Sequence, residues 1–275
     1  MDLPAYLTRI GVTMGSPAPP PSLSLLSLIM SAHSRAISFE NVEVVKGNAI
    51  DMSDSAIFQK LVTRSRGGYC FEQNPLLLWA LRSLGFDAVP VLCRVRWGKA
   101  PDQDTAFTHI ALIVTLDSEQ WLTDVGFAVN NSIEPIRVSA GPQKAMDGTF
   151  RVEERPDGYT WFEVENRKEA GKFLALYKYR TVRWETYPDL ECMNHFSCTF
   201  PSARFTNQLF VATIRDASKW HILNTEMVER SLESGEVLST TKIESEARLL
   251  LELREKFGLE VEAGGFDKIF IVDSN

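Results

Sequence analysis

The 275-residue sequence lacks a long hydrophobic run and any surplus of positive charge. Its most apolar early stretch, Leu23 to Ala32, is short and is interrupted by serines, so we expect neither a secretory signal nor a membrane span. A net charge of −7 argues against a general nucleic-acid-binding protein, because such proteins normally carry a basic face. These absences favour a cytoplasmic protein that binds small molecules rather than nucleic acids or membranes.

Cysteine is also scarce, with four residues at Cys70, Cys93, Cys192 and Cys198. This number is too low for a disulfide scaffold. Cys192 and Cys198 lie six residues apart without a second pair of ligands, so we expect both to pack in the core rather than bind a metal. The hydrophobic fraction of 44% and the charged fraction of 24% are those of an ordinary globular protein. We predict no metal site and no tightly bound cofactor.

The most informative segment that is present runs from Arg66 to Glu72, where two glycines precede Cys70. An apolar run, Pro75–Leu81, follows and predicts that Cys70 begins a helix. A thiol at a helix N-terminus lies at the positive end of the helix dipole, which lowers its pKa and favours the nucleophilic thiolate. From this segment alone, a small buried cysteine on a core helix is an equally good interpretation.

Two residues downstream could assist such a nucleophile. His109 lies within the β-branched run Phe107–Val114, and Asp124 ends the short strand pattern Trp121–Asp124. A buried histidine and a buried aspartate are costly unless they pair, and a carboxylate can orient the imidazole that acts as base. Taken singly, His109 could be a satisfied core histidine and Asp124 a turn residue. Together with Cys70, they predict a catalytic Cys–His–Asp set.

Four blocks of sequence resemble the arylamine N-acetyltransferase family. They are His33–Val42, Arg66–Glu72, Thr108–His109 and Asp124–Phe127. The order and separation of the cysteine, histidine and aspartate also match. The resemblance implies transfer of an acetyl group from acetyl-CoA to the nitrogen of arylamines or arylhydrazines, and to the oxygen of N-hydroxyarylamines. It implies ping-pong kinetics through S-acetyl-Cys70, with acetyl-CoA as a substrate.

The resemblance also implies substrate contacts. Phe39 and Phe127 match aromatic positions that the family uses around a planar amine, and Trp97, Thr108 and Gly126 are weaker candidates for contacts with the acyl donor. Ala128 stands where the family usually has glycine. If that position needs a positive φ, alanine costs about 1 kcal/mol. If it borders the donor passage, the methyl group favours acetyl over larger acyl groups such as malonyl.

The order of elements predicts an α+β fold. We expect helices over 3–10, 22–35, 54–64 and 70–85, with Ser22 and Ser53 as caps of the second and third. Short antiparallel strands follow from 87 to about 179, then a helix over 184–199 and a mixed part that ends in an amphipathic helix at 244–257. This order is similar to the family's helical bundle, antiparallel β-barrel and α/β lid. We therefore predict a bundle over 1–86 that carries Cys70, a barrel over 87–190 that carries His109 and Asp124, and a lid over 191–275.

Two other classes of function remain open at this point. A papain- or transglutaminase-like cysteine hydrolase or amide-forming enzyme would use the same Cys–His–Asp order. A non-catalytic binding protein could keep the fold without turnover, although the complete set of Cys70, His109 and Asp124 argues against it.

Overall fold

The computed structural model describes residues 1–100, 102–180 and 187–270. The helices α1 to α9 are Leu3–Arg9, Leu23–Ala36, Val42–Val45, Asp54–Phe58, Cys70–Ser83, Tyr187–Thr199, Arg204–Asn207, Glu246–Glu255 and Asp267–Phe270. The strands β1 to β13 are Phe39–Glu40, Asp87–Val95, Phe107–Leu116, Glu119–Thr123, Ile136–Arg137, Gln143–Ala145, Gly148–Glu154, Thr160–Glu165, Phe173–Tyr179, Phe210–Arg215, Ser218–Leu223, Glu226–Ser231 and Val237–Lys242. A π-helical turn, Gln59–Thr63, continues α4, and a 3₁₀ turn, Ala128–Asn130, follows β4.

The N-terminal helices form a bundle around an apolar core. The hydroxyls of Ser22 and Ser53 each accept a backbone N–H three residues later at 3.3 Å, so α2 and α4 begin at the predicted caps. The core residues include Tyr6, Leu26, Ile29, Leu61, Leu77 and Leu81. Leu112 and Val114 of β3 belong to the same core, so the bundle packs directly against the barrel.

Eight antiparallel strands, in the order β5-β4-β3-β2-β9-β8-β7-β6, form a nearly closed barrel. Its core includes Val91, Ile113, Phe150, Val152, Phe162 and Leu176. Leu112 of β3 pairs with Thr123 of β4, so the next residue, Asp124, lies beside Ala111. Since side chains two residues apart in a strand share a face, this register places His109 and Asp124 on the same side of the sheet.

The C-terminal part is a five-stranded antiparallel sheet in the order β1-β10-β11-β12-β13. Strand β1 comes from the N-terminal part of the chain, and Phe39 pairs with Ala212 of β10. Helix α8 contributes Leu249 and Leu253 to a separate apolar core beneath this sheet. The lid is therefore tied by strand pairing to the segment that precedes Cys70.

The predicted fold class is confirmed, with differences in detail. The helix expected over 54–64 changes from α to π geometry at Gln59, and β13 was not predicted because it is an edge strand whose apolar residues Val237 and Leu238 are exposed. A helix was also expected from Trp184; residues 184–186 lie outside the described residues, and α6 is described from Tyr187. The domain limits at 86 and 190 stay predictions.

No helix in the described ranges is long and apolar enough to cross a membrane.

Candidate active site

Cys70 is the first residue of α5, as the sequence predicted. Glu72, two residues further on, accepts the backbone N–H of Tyr69 at 3.1 Å and so fixes the start of the helix. The Cys70 thiol donates to the carbonyl oxygen of Thr108 at 3.9 Å, and the backbone N–H of Ile110 also faces its sulfur. The cysteine of the bundle therefore lies against the two residues that flank His109 in the barrel.

The electrostatic environment of Cys70 differs from the prediction made from the helix dipole. Burial raises the pKa of the Cys70 thiol well above its ordinary value, and the negative charge of Asp124 raises it further. Backbone N–H groups of Phe71, Ile110 and Cys70 itself lower it, but by less. A thiolate is thus not favoured by the helix alone, and its formation requires a partner that takes the proton.

His109 and Asp124 form a buried pair, as predicted. The Nε2 of His109 lies 2.7 Å from Oδ2 of Asp124, and each side chain is 2% exposed. Burial raises the pKa of Asp124, but His109 and several hydrogen bonds lower it more. The pKa of this carboxyl is therefore below its usual value, and the group is ionised at neutral pH. An ionised carboxylate only accepts hydrogen bonds, so Nε2 of His109 carries a proton and donates a hydrogen bond to Asp124, which leaves Nδ1 as the ring atom that could act as a base.

Asp124 is held by three further donors. The OH of Tyr177 donates to Oδ2 at 2.9 Å, and the Asn74 side chain and the Gly126 backbone each donate to Oδ1 at 2.8 Å. Sequence reasoning missed both Asn74 and Tyr177. The sequence does indicate Asn74, because it is a polar residue one helical turn after Cys70, at the edge of an apolar run. No sequence pattern indicates Tyr177, since it reaches the site through the pairing of β9 with β2.

Buried charges support the segment before Cys70. Arg66 donates to Glu40 at 2.9 Å in an ion pair. Lys60 of the π-helical turn donates to Glu72 at 2.7 Å and also lies 3.8 Å from Glu40. Glu40 is fully buried and Glu72 is 2% exposed, so these cations offset the cost of burying two carboxylates close together.

An aromatic and aliphatic cluster surrounds Cys70. Its members include Phe39, Tyr69, Phe71, Phe205, Phe210, Ile110, Met193 and Val129. The ring of Phe39 lies 5.8 Å from those of Phe205 and Phe210, measured between centroids. Phe127 packs edge-on against His109 at 4.9 Å. The two aromatic residues predicted as substrate contacts are therefore both at the site, one beside the cysteine and one beside the histidine.

The three weaker candidates for contacts with the acyl donor, Thr108, Gly126 and Trp97, lie in different parts of the structure. Thr108 contacts the sulfur of Cys70 through its carbonyl oxygen. Gly126 donates its N–H to Asp124 and packs against the backbone of Cys70. Trp97 instead packs against the barrel core and is not a member of the cluster around Cys70, among the residues that the structure describes.

Comparison with known proteins identifies the family. The model of the N-acetyltransferase family matches residues 22–266. The arylamine N-acetyltransferase of Mycolicibacterium smegmatis is 34% identical over 269 residues, which cover 95% of this chain and 93% of that protein. The chain belongs to the arylamine N-acetyltransferase family. The family and the enzyme class predicted from the sequence are thus confirmed.

Two further arylamine N-acetyltransferases support the same assignment. Human arylamine N-acetyltransferase 1 is 31% identical over 226 residues, which cover 76% of this chain and 77% of that protein. The structure of the Mycobacterium marinum arylamine N-acetyltransferase in complex with CoA has a TM-score of 0.88 and 30% identity, and it covers 98% of each chain. The likeness therefore extends over all three predicted parts of this family member.

Ala128, where the family usually has glycine, has a left-handed backbone conformation. Ala128 has a φ of +57°, and it begins the 3₁₀ turn after Phe127. Of the two explanations considered for a glycine here, the structure supports the need for a positive φ. An alanine held in this conformation costs about 1–2 kcal/mol.

The remaining cysteines follow the sequence expectation only in part. Cys93 and Cys198 are buried, but Cys192 is exposed on α6, so the prediction that it packs in the core is wrong. On α6 Cys192 faces outward, whereas Asn194, Ser197 and Cys198 are buried. Within the described residues there is no group of three or more side chains placed to hold a metal ion.

Proposed function

We propose that this protein transfers an acetyl group from acetyl-CoA to arylamines and arylhydrazines through a covalent intermediate on Cys70. The observation that carries the proposal is the meeting of the three predicted residues at one buried site. Cys70 at the start of α5 contacts the residues on both sides of His109, and His109 pairs with Asp124 at 2.7 Å. The same order of roles, nucleophile, base and orienting carboxylate, activates nucleophiles in other acyl-transfer enzymes.

In the first half-reaction, Nδ1 of His109 takes the proton of the Cys70 thiol. Asp124 stabilises the imidazolium that forms. The proton stays within the set of Cys70, His109 and Asp124, so the net charge of that set does not change. This offsets the burial that otherwise keeps the thiol neutral. The thiolate then attacks the thioester carbon of acetyl-CoA, and CoA leaves as a thiol with the proton from His109. The product is S-acetyl-Cys70.

In the second half-reaction, the amine nitrogen attacks the acetyl carbon on Cys70. His109 takes the proton that the nitrogen loses and returns it to the sulfur, so the amide leaves and the thiol is restored. Backbone N–H groups of Phe71 and Ile110, which face the sulfur, are candidates for stabilising the oxyanion in both steps. Because one nucleophile serves both substrates in turn, the kinetics are ping-pong.

Burial of the site favours transfer over hydrolysis. Cys70 and His109 are each 2% exposed, and the apolar cluster around the sulfur leaves little room for water. The rings of Phe39 and Phe127 flank the cysteine and the histidine, which suits a planar aromatic acceptor. Arylamines and arylhydrazines, and the oxygen of N-hydroxyarylamines, are therefore the proposed acceptors.

Mass spectrometry after incubation with acetyl-CoA tests the proposal. We expect one acetyl group on the peptide that contains Cys70, a stoichiometric burst of free CoA, and transfer of the label when phenylhydrazine is added. Cys70→Ala is the control, since loss of a small side chain at a helix start leaves the fold in place. Parallel lines in double-reciprocal plots would support the ping-pong order.

The other outcomes distinguish the competing functions. Absence of any CoA burst from acetyl-CoA would favour a papain- or transglutaminase-like cysteine hydrolase. Binding of acetyl-CoA without acetylation of Cys70 or formation of product would indicate a non-catalytic binding protein. Retained activity in Cys70→Ala would refute the assignment of the site.

A further inference from the structure

A buried lysine lies on the lid side of the active-site loop, which we define as residues 125–133. Lys219 of β11 is 8% exposed and donates to Asp147 at 2.6 Å, to the carbonyl oxygen of Val129 at 2.9 Å and to that of Asn131 at 3.1 Å. An ammonium group has three N–H donors, and these three acceptors use all of them. Lys219 therefore connects the lid sheet, the β6–β7 turn of the barrel and the active-site loop.

Net stability does not explain this arrangement well. Asp147 is 2% exposed, and its second carboxylate oxygen, Oδ1, has no hydrogen-bond partner. Moving two charges out of water costs several kcal/mol, and apolar residues of similar size often stabilise a fold equally well. A buried pair of this kind is better explained by what it holds in place.

What Lys219 holds is a strained segment. Ala128, directly before Val129, has the left-handed φ of +57°. Such a residue keeps its conformation only when its surroundings fix the backbone on both sides. Lys219 binds the carbonyl oxygens of Val129 and Asn131, the first and third residues after the strained alanine.

The same segment is connected to the reacting groups. Phe127, directly before Ala128, packs against the ring of His109. The side chain of Asn131 donates to the backbone carbonyl of Asp124. A shift of the active-site loop would therefore move the aromatic wall at His109.

We propose that Lys219 is a positioning residue, which with Asp147 holds the active-site loop against the strain at Ala128 and thereby sets the binding of the aromatic acceptor. This inference rests on the proposed function, because it takes Phe127 as a wall for the acceptor ring. In a protein with glycine at position 128 such support is needed less, since glycine adopts a positive φ without cost. Lys219 and Ala128 are thus energetically coupled.

The test compares two acceptors of different shape in Lys219→Met, with acetyl-CoA as donor. Phenylhydrazine has a ring that the proposal places against Phe127, whereas unsubstituted hydrazine has no ring. We expect KM for phenylhydrazine to rise about tenfold, the order of one lost aromatic contact. KM and kcat for hydrazine should stay within about twofold, since Asn74 and Tyr177, which lie outside the loop, still hold the Asp124 carboxylate against His109. Lys172→Met, at an exposed lysine paired with exposed Glu169, is the matched control.

Ala128→Gly supplies the second arm. Added to Lys219→Met, it should restore a large part of the phenylhydrazine KM, because the loop then keeps its conformation without the lysine. Should Lys219→Met fail to fold with its carboxylate left unpaired, Lys219→Met/Asp147→Asn removes both charges and makes the same prediction. Hydrogen exchange in residues 125–133 should be faster in either variant and should slow again when Ala128→Gly is added.

Each outcome decides the matter. An equal loss of kcat/KM for both acceptors would indicate a smaller folded fraction and would overturn the proposal. An unchanged KM for phenylhydrazine, together with unchanged hydrogen exchange in the active-site loop, would also overturn it. Failure of the wild-type protein to acetylate Cys70 is a different result. It would refute the proposed function and with it the effect on the acceptor, while the exchange measurement would still decide whether Lys219 holds the active-site loop.

Discussion

Gly126 packs directly against the backbone of Cys70. A Cβ atom built on the glycine would stand 2.7 Å from the Cα atom of the cysteine and 2.8 Å from the side-chain nitrogen of Asn74. Carbon atoms do not approach so closely without displacement, so a side chain at 126 would force the loop away from α5. The same glycine donates its N–H to Asp124. Close packing here joins the start of α5, which carries the proposed nucleophile Cys70, to Asp124, the carboxylate proposed to orient the base.

Gly126→Ala is therefore expected to lower kcat/KM strongly while the protein still folds. A displacement of about 1 Å at a catalytic group costs roughly 100-fold, and we expect a loss of this order. Steady-state rates and circular dichroism measure the two effects. Gly15→Ala is the control, because a Cβ atom there meets only a carbonyl oxygen at 3.9 Å. Near-normal activity in Gly126→Ala would show that this contact does not set the catalytic geometry.

Asp124→Asn should reduce turnover by several orders of magnitude, by analogy with the roughly 10⁴-fold loss in serine triads. The amide keeps the shape but cannot stabilise the imidazolium of His109. In either orientation its NH₂ group would face a donor, Asn74 at the Oδ1 position or Tyr177 at the Oδ2 position. Stability should also fall, because a buried polar network tolerates partial loss poorly. Single-turnover acetylation separates these effects, and a folded variant that acetylates Cys70 at the wild-type rate would reduce Asp124 to a turn residue.

Sequence patterns predicted the parts of the site that follow local rules. A helix start predicts the position of Cys70, and apolar strand patterns place His109 and Asp124 in the barrel. Tyr177, Asn131 and Lys219 could not be found in this way, because they reach the site through strand order and loop packing. The pKa of Cys70 was predicted in the wrong direction, since burial depends on the whole fold and here outweighs the helix dipole.

Alkylation tests whether His109 overcomes the burial of Cys70. Iodoacetamide is expected to label Cys192 as well, because that cysteine is exposed, so the experiment uses Cys192→Ser. In that protein we expect Cys70 to react before buried Cys93 and Cys198. Its rate should change little between pH 7 and pH 6, whereas the rate for glutathione falls about tenfold per pH unit below its thiol pKa, like other thiols of pKa near 8.5.

The control for the alkylation experiment is His109→Gln, which removes the base. Burial then keeps the thiol neutral, and labelling of Cys70 should become slow and should depend on pH. Labelling of Cys70 in the His109-containing protein that falls tenfold from pH 7 to pH 6 would contradict the thiolate–imidazolium pair.

Because of His33, we expect the protein to become less stable in acid. It is fully buried, and burial, with a smaller contribution from Arg9, lowers its pKa to about 3. The unfolded chain binds a proton near pH 6.5, so this contribution to stability is present above pH 6.5 and is lost as the pH falls toward 3. Between pH 7 and pH 4 the free energy of unfolding should fall by about 3 kcal/mol through this group.

Urea unfolding of His33→Phe at the two pH values measures the contribution. The variant loses the 2.9 Å contact of His33 with the OH of Tyr6 and is less stable at pH 7, but its stability should fall less between pH 7 and pH 4. His195→Gln is the control, because that histidine is exposed. The same pH dependence in wild type and His33→Phe would refute the assignment.

The choice of acyl donor depends on cations near the site. A malonyl carboxylate that enters a buried site needs a cationic partner, because an unpaired buried charge is costly. Two cations of the C-terminal part lie near the site, Lys219 beside Val129 and Arg204 beside Phe210. Lys219 is bound by Asp147 and two carbonyl oxygens. Arg204 donates to Gln208 at 2.9 Å and lies 5.7 Å from the ring centroid of Phe210.

We therefore expect acetyl-CoA to be preferred over malonyl-CoA. Lys219 cannot pair with the extra carboxylate without giving up its present partners, and the residues after the left-handed Ala128, Val129 and Asn130, carry no charge. The measurement is kcat/KM for the two donors with phenylhydrazine as common acceptor. Arg204→Gln tests the remaining cation: it should leave the donor ratio unchanged, and a selective loss of malonyl transfer would mean that Arg204 binds the carboxylate. A clear malonyl preference in the wild-type protein would contradict the prediction outright.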